Sequence, residues 1–280
     1  MRSALKQPAH PDRSPCRPSF RAHPSPAPWL WPNLLSLDAP LVALLWQLLF
    51  ARCFRVPTGP AASLLLVLSV WLIYSADRML DAWRGAAPAP RHEFYRRHWR
   101  AVLPVWGGLL GLAACLSWFL LPPQLLDRGL WLLAGVALYF IAVHSAPIPS
   151  AGSWKEPVVG VFFALGATLA AWSGLRGAAD LLSVLLFSCL CWINCAAIEQ
   201  WEGSPRKFRV GFAAACVGLA AVLLLPLRRP LLCGAELASA LAFVFLDSRA
   251  FRIRPDLLRV LADAALLSPL FLLPLAAVGT

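Results

Sequence analysis

Charged residues are scarce in this sequence: they make up 14% of 280 residues, while hydrophobic residues make up 59%. A soluble domain usually carries about 25% charged residues, so the scarcity and the mean hydropathy of +0.66 argue against one. The long apolar runs also lack period-two alternation, which excludes membrane-spanning strands. Backbone inside a bilayer must satisfy its own hydrogen bonds. The sequence therefore predicts an all-α, polytopic transmembrane helical bundle with the lipid bilayer as its partner.

Two further signatures are missing. The eight cysteines form no CxxC pair, and most lie inside apolar runs, so they are interpreted as small apolar residues rather than zinc or redox ligands. The formal charge is +11, but no nucleic-acid reader motif accompanies it. Arginine beside membrane spans is normally a topology signal, and no nucleic-acid partner is expected.

Eight prolines interrupt residues 1–33, which favours a disordered, basic, Pro-rich cytoplasmic tail over a secretory signal peptide. Residues 34–280 are expected to form the transmembrane domain. Its apolar runs predict nine spans, at about 34–50, 60–76, 101–121, 129–147, 156–173, 180–198, 208–227, 231–247 and 257–279.

The basic residues predict the orientation. With the N-terminus inside, 19 of the 25 lysines and arginines fall on the cytoplasmic side and 6 outside. The positive-inside rule then favours N-in, C-out. We expect a multi-pass protein of the cell inner (cytoplasmic) membrane.

Asp77 and Asp81 stand at the end of the second span, four residues apart, and so share one helical face. Their charges repel each other and are disfavoured at a helix C-terminus. Such a pair needs a cation. Either Arg78 and Arg84 supply it, or a divalent metal does, since Mg²⁺ commonly bridges carboxylates to phosphate oxygens.

A second acidic group, Glu199 and Glu202, ends the sixth span just after Asn194. Spans two and six are separated by an even number of crossings, so their C-terminal ends lie on the same side. The two ends are predicted to face each other across a cavity and hold metal, with a solvated helix end as the alternative.

Basic groups accompany these ends. Lys155 precedes Gly160 and Gly166 of span five and is interpreted either as a diphosphate ligand or as a topology charge. The glycines would let helices pack closely. In span nine, Arg259 and Asp263 lie one turn apart and are predicted to form an intramembrane ion pair.

These features together resemble the UbiA superfamily of intramembrane prenyltransferases, nine-helix bundles with two cytoplasmic Asp-rich motifs after helices two and six. The family's first motif reads roughly N-D-x-x-D-x-x-x-D. Its second half is matched by Asp77-Arg78-Met79-Leu80-Asp81. Ile73 and Tyr74 stand where the family has Asn and Asp.

The second motif departs further from the family pattern. Asn194 matches its first position and Glu202 its last, while Cys195 and Ile198 replace aspartates and Glu199 is an acidic neighbour. This erosion bears on catalysis more than on fold.

The resemblance implies an Mg²⁺-dependent prenyltransferase that moves an isoprenyl group from its diphosphate to a lipophilic acceptor. The implied metal ligands are Asp77, Asp81, Asn194, Glu199 and Glu202, with Asp77 and Asp81 essential for catalysis. The implied diphosphate-binding residues are Arg78, Lys155 and Arg206. The alternatives are a non-catalytic relative that binds a lipid diphosphate or acts as a scaffold, and a transporter, which the lack of paired broken helices disfavours.

Overall fold

The fold is a bundle of α-helices, as predicted. The computed structural model describes residues 28–84, 90–145, 154–203, 208–227 and 229–278, and this part of the chain contains no strand. Arg206 and residues 1–27 of the predicted tail lie outside it. The helices are α1 (Trp31–Leu34), α2 (Asp38–Phe54), α3 (Pro60–Trp83), α4 (Pro90–Leu120), α5 (Pro123–Ser145), α6 (Lys155–Thr168), α7 (Ala178–Trp201), α8 (Val210–Leu223), α9 (Pro230–Arg249), α10 (Pro255–Ala265) and α11 (Pro269–Val278).

The chain is a multi-pass membrane protein. Within the described ranges, seven helical segments are long and apolar enough to cross a bilayer. An eighth candidate is the pair α1 and α2, bent by 73°, and α8 is a shorter apolar helix. These nine segments follow one another in the order of the nine predicted spans. Seven of them meet the length expected of a crossing.

Several helices extend beyond the apolar runs that predicted them. Helix α3 continues to Trp83, so Asp77 and Asp81 lie within the helix rather than after it. Helix α4 begins at Pro90, about ten residues before the predicted span. Helix α1 begins at Trp31, within residues 1–33 that were expected to form the tail. Hydropathy marks where lipid contact stops, whereas backbone hydrogen bonding continues into the polar layer.

Proline and a left-handed residue fix the turns between helices. Pro60 opens α3 after an extended Gly59, a position where the missing N–H removes no helical hydrogen bond. Arg55 closes α2 with φ of 57°, the left-handed conformation that often ends helices.

The core lies among α2, α6, α7, α8, α9 and α10. Its centre is Trp46 of α2, which is fully buried, stacks on Phe187 at a ring distance of 4.1 Å and donates to the carbonyl of Leu266 at 2.9 Å. Close contact of α6 with α7 depends on Gly160, where a Cβ atom would lie 2.7 Å from a backbone oxygen of α7. Gly160 therefore has the packing role predicted for it.

Helices α4 and α5 lie at the periphery. Only 6% and 11% of the residues in their most apolar stretches are buried, which suits surfaces that face lipid. Near its start, α4 is fixed by Tyr95, whose hydroxyl lies 3.1 Å from the Ser36 hydroxyl.

Candidate functional site: an Asp–Asp–His cluster

The two carboxylates at the end of α3 meet a histidine from α5. Asp77, Asp81 and His144 each offer one ligand atom, and these three atoms lie within 4.8 Å of one another. His144 Nε2 is 3.9 Å from Asp81 Oδ1. The shared face predicted for the two aspartates is thus present, and it is directed toward α5.

His144 is held in a defined orientation. Its Nδ1 lies 3.0 Å from the carbonyl oxygen of Phe140 one turn earlier, and its ring stacks on the Phe140 ring. If Nδ1 donates to that carbonyl, Nε2 is left as an acceptor or ligand. The side chain is 12% exposed, and Nε2 is buried without a hydrogen-bond partner in the described part of the chain.

The acidic end of α3 lies near the corresponding end of α7. Asp77, Glu156 and Glu199 are all close enough to Cys195 of α7 to interact with it electrostatically. Asp77 and Glu156 lie similarly close to Tyr139 of α5. The C-terminal ends of α3 and α7 therefore lie on the same side of the bundle, as predicted for spans two and six, and the start of α6 lies near both.

Tyr139 belongs to an aromatic group beside the cluster. Its ring meets those of Trp154 and Phe162 edge to face, at centroid distances of 6.0 and 6.1 Å. Aromatic faces of this kind can stabilise a cation.

The predicted cationic residues differ in their burial and in their contacts. Arg78 has a buried Nη1 without a hydrogen-bond partner among the described residues, and its charge lies near Asp263. Lys155 is the half-buried first residue of α6, next to Glu156. Arg84 donates from Nη1 to the carbonyl of Val143 at 3.3 Å, which links the ends of α3 and α5.

The second motif has different contacts from those predicted. Glu202 forms an ion pair with Arg259 of α10. Asn194 donates to Asp263 Oδ1 at 3.0 Å. The predicted pairing of Arg259 with Asp263 is therefore not the contact found. The long arginine side chain reaches α7, whereas Asp263 points toward the amide of Asn194.

Asp263 also belongs to a polar group at the bend between α1 and α2. The amide nitrogen of Asn33 lies 2.6 Å from Asp38 Oδ2 and 3.3 Å from Asp263 Oδ2. One amide therefore bridges two carboxyl groups, and together with Asn194 it ties α1, α2, α7 and α10 together. Polar groups at this depth need such partners.

A small, partly open cavity lies beside this polar group. Most of its wall is apolar. The polar side chains in the wall are those of Tyr74, Asn194 and Asp263. Asp77, Asp81 and His144 are not in the wall, so the cavity does not contain the Asp–Asp–His cluster.

Sequence reasoning missed His144 and Asn33. Span four, like spans two and six, is an even-numbered crossing, so its C-terminal end should lie on the same side of the membrane as theirs. The same reasoning would therefore have placed His144 near Asp77 and Asp81. Asn33 had no comparable signal, because it was assigned to the tail.

Glu199 and Glu202 do not belong to the Asp–Asp–His cluster, which is the one group of at least three such ligands within the described ranges. The predicted diphosphate-binding residue Arg206 lies outside those ranges.

The chain matches no family model, no curated protein and no solved structure in the comparisons made.

Proposed function

We propose that this protein is a metal-dependent intramembrane prenyltransferase, which moves an isoprenyl group from its diphosphate to a lipophilic acceptor. The observation that carries the proposal is the pair of carboxylates, Asp77 and Asp81, one turn apart on α3 beside the imidazole of His144, whose Nε2 is buried. Arg78 follows Asp77 in the sequence and has a buried Nη1 without a hydrogen-bond partner among the described residues, so it is proposed as a positive group for the diphosphate. A metal flanked by cations is suited to a diphosphate.

The donor set fits a divalent cation. Asp77 and Asp81 offer carboxylate oxygens, and His144 Nε2 lies in the same group with no competing hydrogen bond in the described ranges. Mg²⁺ on the two aspartates would leave positions for diphosphate oxygens and water. Bound there, it would act as a Lewis acid toward the diphosphate.

In the proposed reaction the carbon–oxygen bond of the allylic diphosphate breaks, and the diphosphate leaves with the electron pair. Arg78, Lys155 and Arg206 are proposed to stabilise the leaving charge, in keeping with electrostatic stabilisation of a developing anion. The acceptor then supplies the electron pair for the new bond and loses a proton.

The apolar surroundings suit an isoprenyl substrate. Helices α4 and α5 expose mostly apolar surface, from which a lipid chain can approach the cluster. The rings of Tyr139, Trp154 and Phe162 are proposed to shield the allylic cation from water. No described feature selects one acceptor.

One observation favours a second candidate, a membrane protein that binds a lipid diphosphate without turning it over. Glu202 is paired with Arg259, and Asn194 binds Asp263. These contacts oppose their recruitment to a second metal. Asp77 and Asp81 would then hold metal and diphosphate, and the second motif, with Asn194 and Glu202, would stabilise the fold.

The test is to incubate the purified protein in liposomes with a C15 isoprenyl diphosphate and a bacterial membrane lipid extract. Diphosphate release and prenylated lipids are measured with Mg²⁺ and with chelator, for wild type and for Asp77→Asn, Asp81→Asn and Asp127→Asn. Asp127, exposed near the start of α5, provides the matched control.

Metal-dependent release that only the first two variants lose supports transfer. Metal-dependent binding without release supports the non-catalytic candidate. Release that persists in chelator would refute the metal-dependent mechanism.

A further inference from the structure

We propose that His144 is a metal ligand together with Asp77 and Asp81, and that the site therefore prefers a first-row transition ion such as Mn²⁺ or Zn²⁺ over Mg²⁺. The inference rests on the metal site of the proposed function, though not on the transfer reaction. It adds a nitrogen donor that neither the acidic spacing nor the resemblance suggests.

The orientation of the ring is the first argument. Metal-binding histidines usually donate the N–H of their other nitrogen to a carbonyl or carboxylate, which fixes the tautomer. His144 has this arrangement, because Nδ1 lies 3.0 Å from the Phe140 carbonyl oxygen. Its free lone pair is then on Nε2, the atom that faces Asp81.

The second argument is the spacing. At 3.9 Å, Nε2 and Asp81 Oδ1 are too far apart for a direct hydrogen bond. Ligand atoms on one zinc ion, each about 2.0–2.2 Å from it, stand roughly 3–3.5 Å apart. A small closing movement of the side chain brings the pair to that distance.

The third argument is burial. His144 Nε2 is buried and has no hydrogen-bond partner among the described residues, an arrangement that is costly unless something occupies the space. A cation bound at Nε2 removes this penalty.

The donor type sets the preference among metals. Mg²⁺ takes oxygen ligands almost exclusively and keeps several waters. Imidazole suits the later first-row ions, and affinity for a given nitrogen–oxygen site rises from Mn²⁺ to a maximum at Cu²⁺ and then falls to Zn²⁺. Two carboxylates and one imidazole therefore select a transition ion.

The experiment is a Mn²⁺ titration of the purified, chelator-stripped protein in detergent, followed by electron paramagnetic resonance. Pulsed measurements detect ¹⁴N coupling from a directly bound imidazole. Mg²⁺ and Zn²⁺ are then added as competitors. No prenyl substrate is present.

We expect one bound Mn²⁺ per chain with ¹⁴N coupling, displaced by Zn²⁺ but not by equimolar Mg²⁺. His144→Ala should abolish the coupling and weaken Mn²⁺ binding at least tenfold, since losing even an outer-shell partner costs roughly 10–100-fold. His98→Ala is the matched control, because His98 makes the same Nδ1 contact with a carbonyl one turn earlier, at 2.9 Å, but is exposed.

His144→Asp keeps the inference testable if the alanine variant does not fold. The His144→Asp variant should bind Mn²⁺ without ¹⁴N coupling. Mg²⁺ should compete for its site better than it does in the wild type, because all the ligands are then oxygens. Wild-type protein that binds Mn²⁺ without ¹⁴N coupling, or that binds Mg²⁺ equally well, would overturn the inference.

The two proposals fail separately. Prenyl transfer without ¹⁴N coupling would remove the histidine ligand and leave the transferase. Nitrogen-coordinated Mn²⁺ without prenyl transfer would support the histidine ligand and remove the transferase.

Discussion

Neutralising Glu202 should destabilise the protein more than removing its partner Arg259. The two side chains form an ion pair between α7 and α10 and differ in exposure: Arg259 is 7% exposed and Glu202 is 25% exposed. Glu202→Gln takes the negative charge away from a guanidinium that water hardly reaches. Arg259→Met leaves a carboxylate that water partly solvates.

The expected loss of stability follows from this difference in exposure. Breaking a fully buried pair by removing one partner costs about 3–5 kcal/mol. Because Glu202 is partly solvated, we expect a loss near 2–3 kcal/mol for Glu202→Gln and about 1 kcal/mol for Arg259→Met. The double variant should lie close to Arg259→Met, since replacing both charges removes the uncompensated one.

The assay is denaturant or thermal unfolding in one detergent, run on the two single variants and the double variant as a cycle. Manganese affinity is measured on the same samples. If Glu202 is a metal ligand, as the sequence predicts, Glu202→Gln should weaken metal binding and hold or raise stability. Equal stability of wild type and Glu202→Gln would refute the ion-pair reasoning.

Three further predictions concern the rest of the chain. Asp77→Asn and Asp81→Asn should each abolish prenyl transfer with the melting temperature unchanged or raised, since repulsion at the end of α3 is relieved; unfolding of both would contradict the metal site. Gly160→Ala should lower the free energy of unfolding by about 1–3 kcal/mol, because its Cβ would lie 2.7 Å from the Ser188 carbonyl oxygen. The control Gly166→Ala should leave that free energy unchanged in the same unfolding assay. Equal effects of the two variants would count against close packing at Gly160. Reporter fusions before α4 and after the C-terminus should give opposite signals, and the same sidedness would overturn the predicted orientation.

The order of the apolar segments could be predicted from the sequence, although of the nine expected spans seven are long enough to cross a bilayer and an eighth is a bent pair of helices in the described ranges. Each span is a continuous apolar run, and the bilayer fixes the length it needs. The ends could not be located as well, because α3 carries Asp77 and Asp81 inside its last two turns. A hydropathy boundary does not mark the end of a helix.

The shared face of Asp77 and Asp81 was predictable because it depends only on the period of one helix. The contact of this face with His144 depends on where α5 lies relative to α3. Likewise, Glu202 and Asn194 bind residues of α10 because α7 and α10 are neighbours. Such neighbour relations are not encoded in the pattern of any one helix.

Binding of a C15 isoprenyl diphosphate to the purified protein tests the central claim most directly, since both the catalytic and the non-catalytic candidates require it. We predict saturable binding that needs Mn²⁺ or Mg²⁺, disappears in chelator and is lost in Asp77→Asn and Asp81→Asn but kept in Asp127→Asn. Binding that is equally tight in chelator, or absent in every condition with folded protein, would contradict the assignment of the α3 end as a metal and diphosphate site.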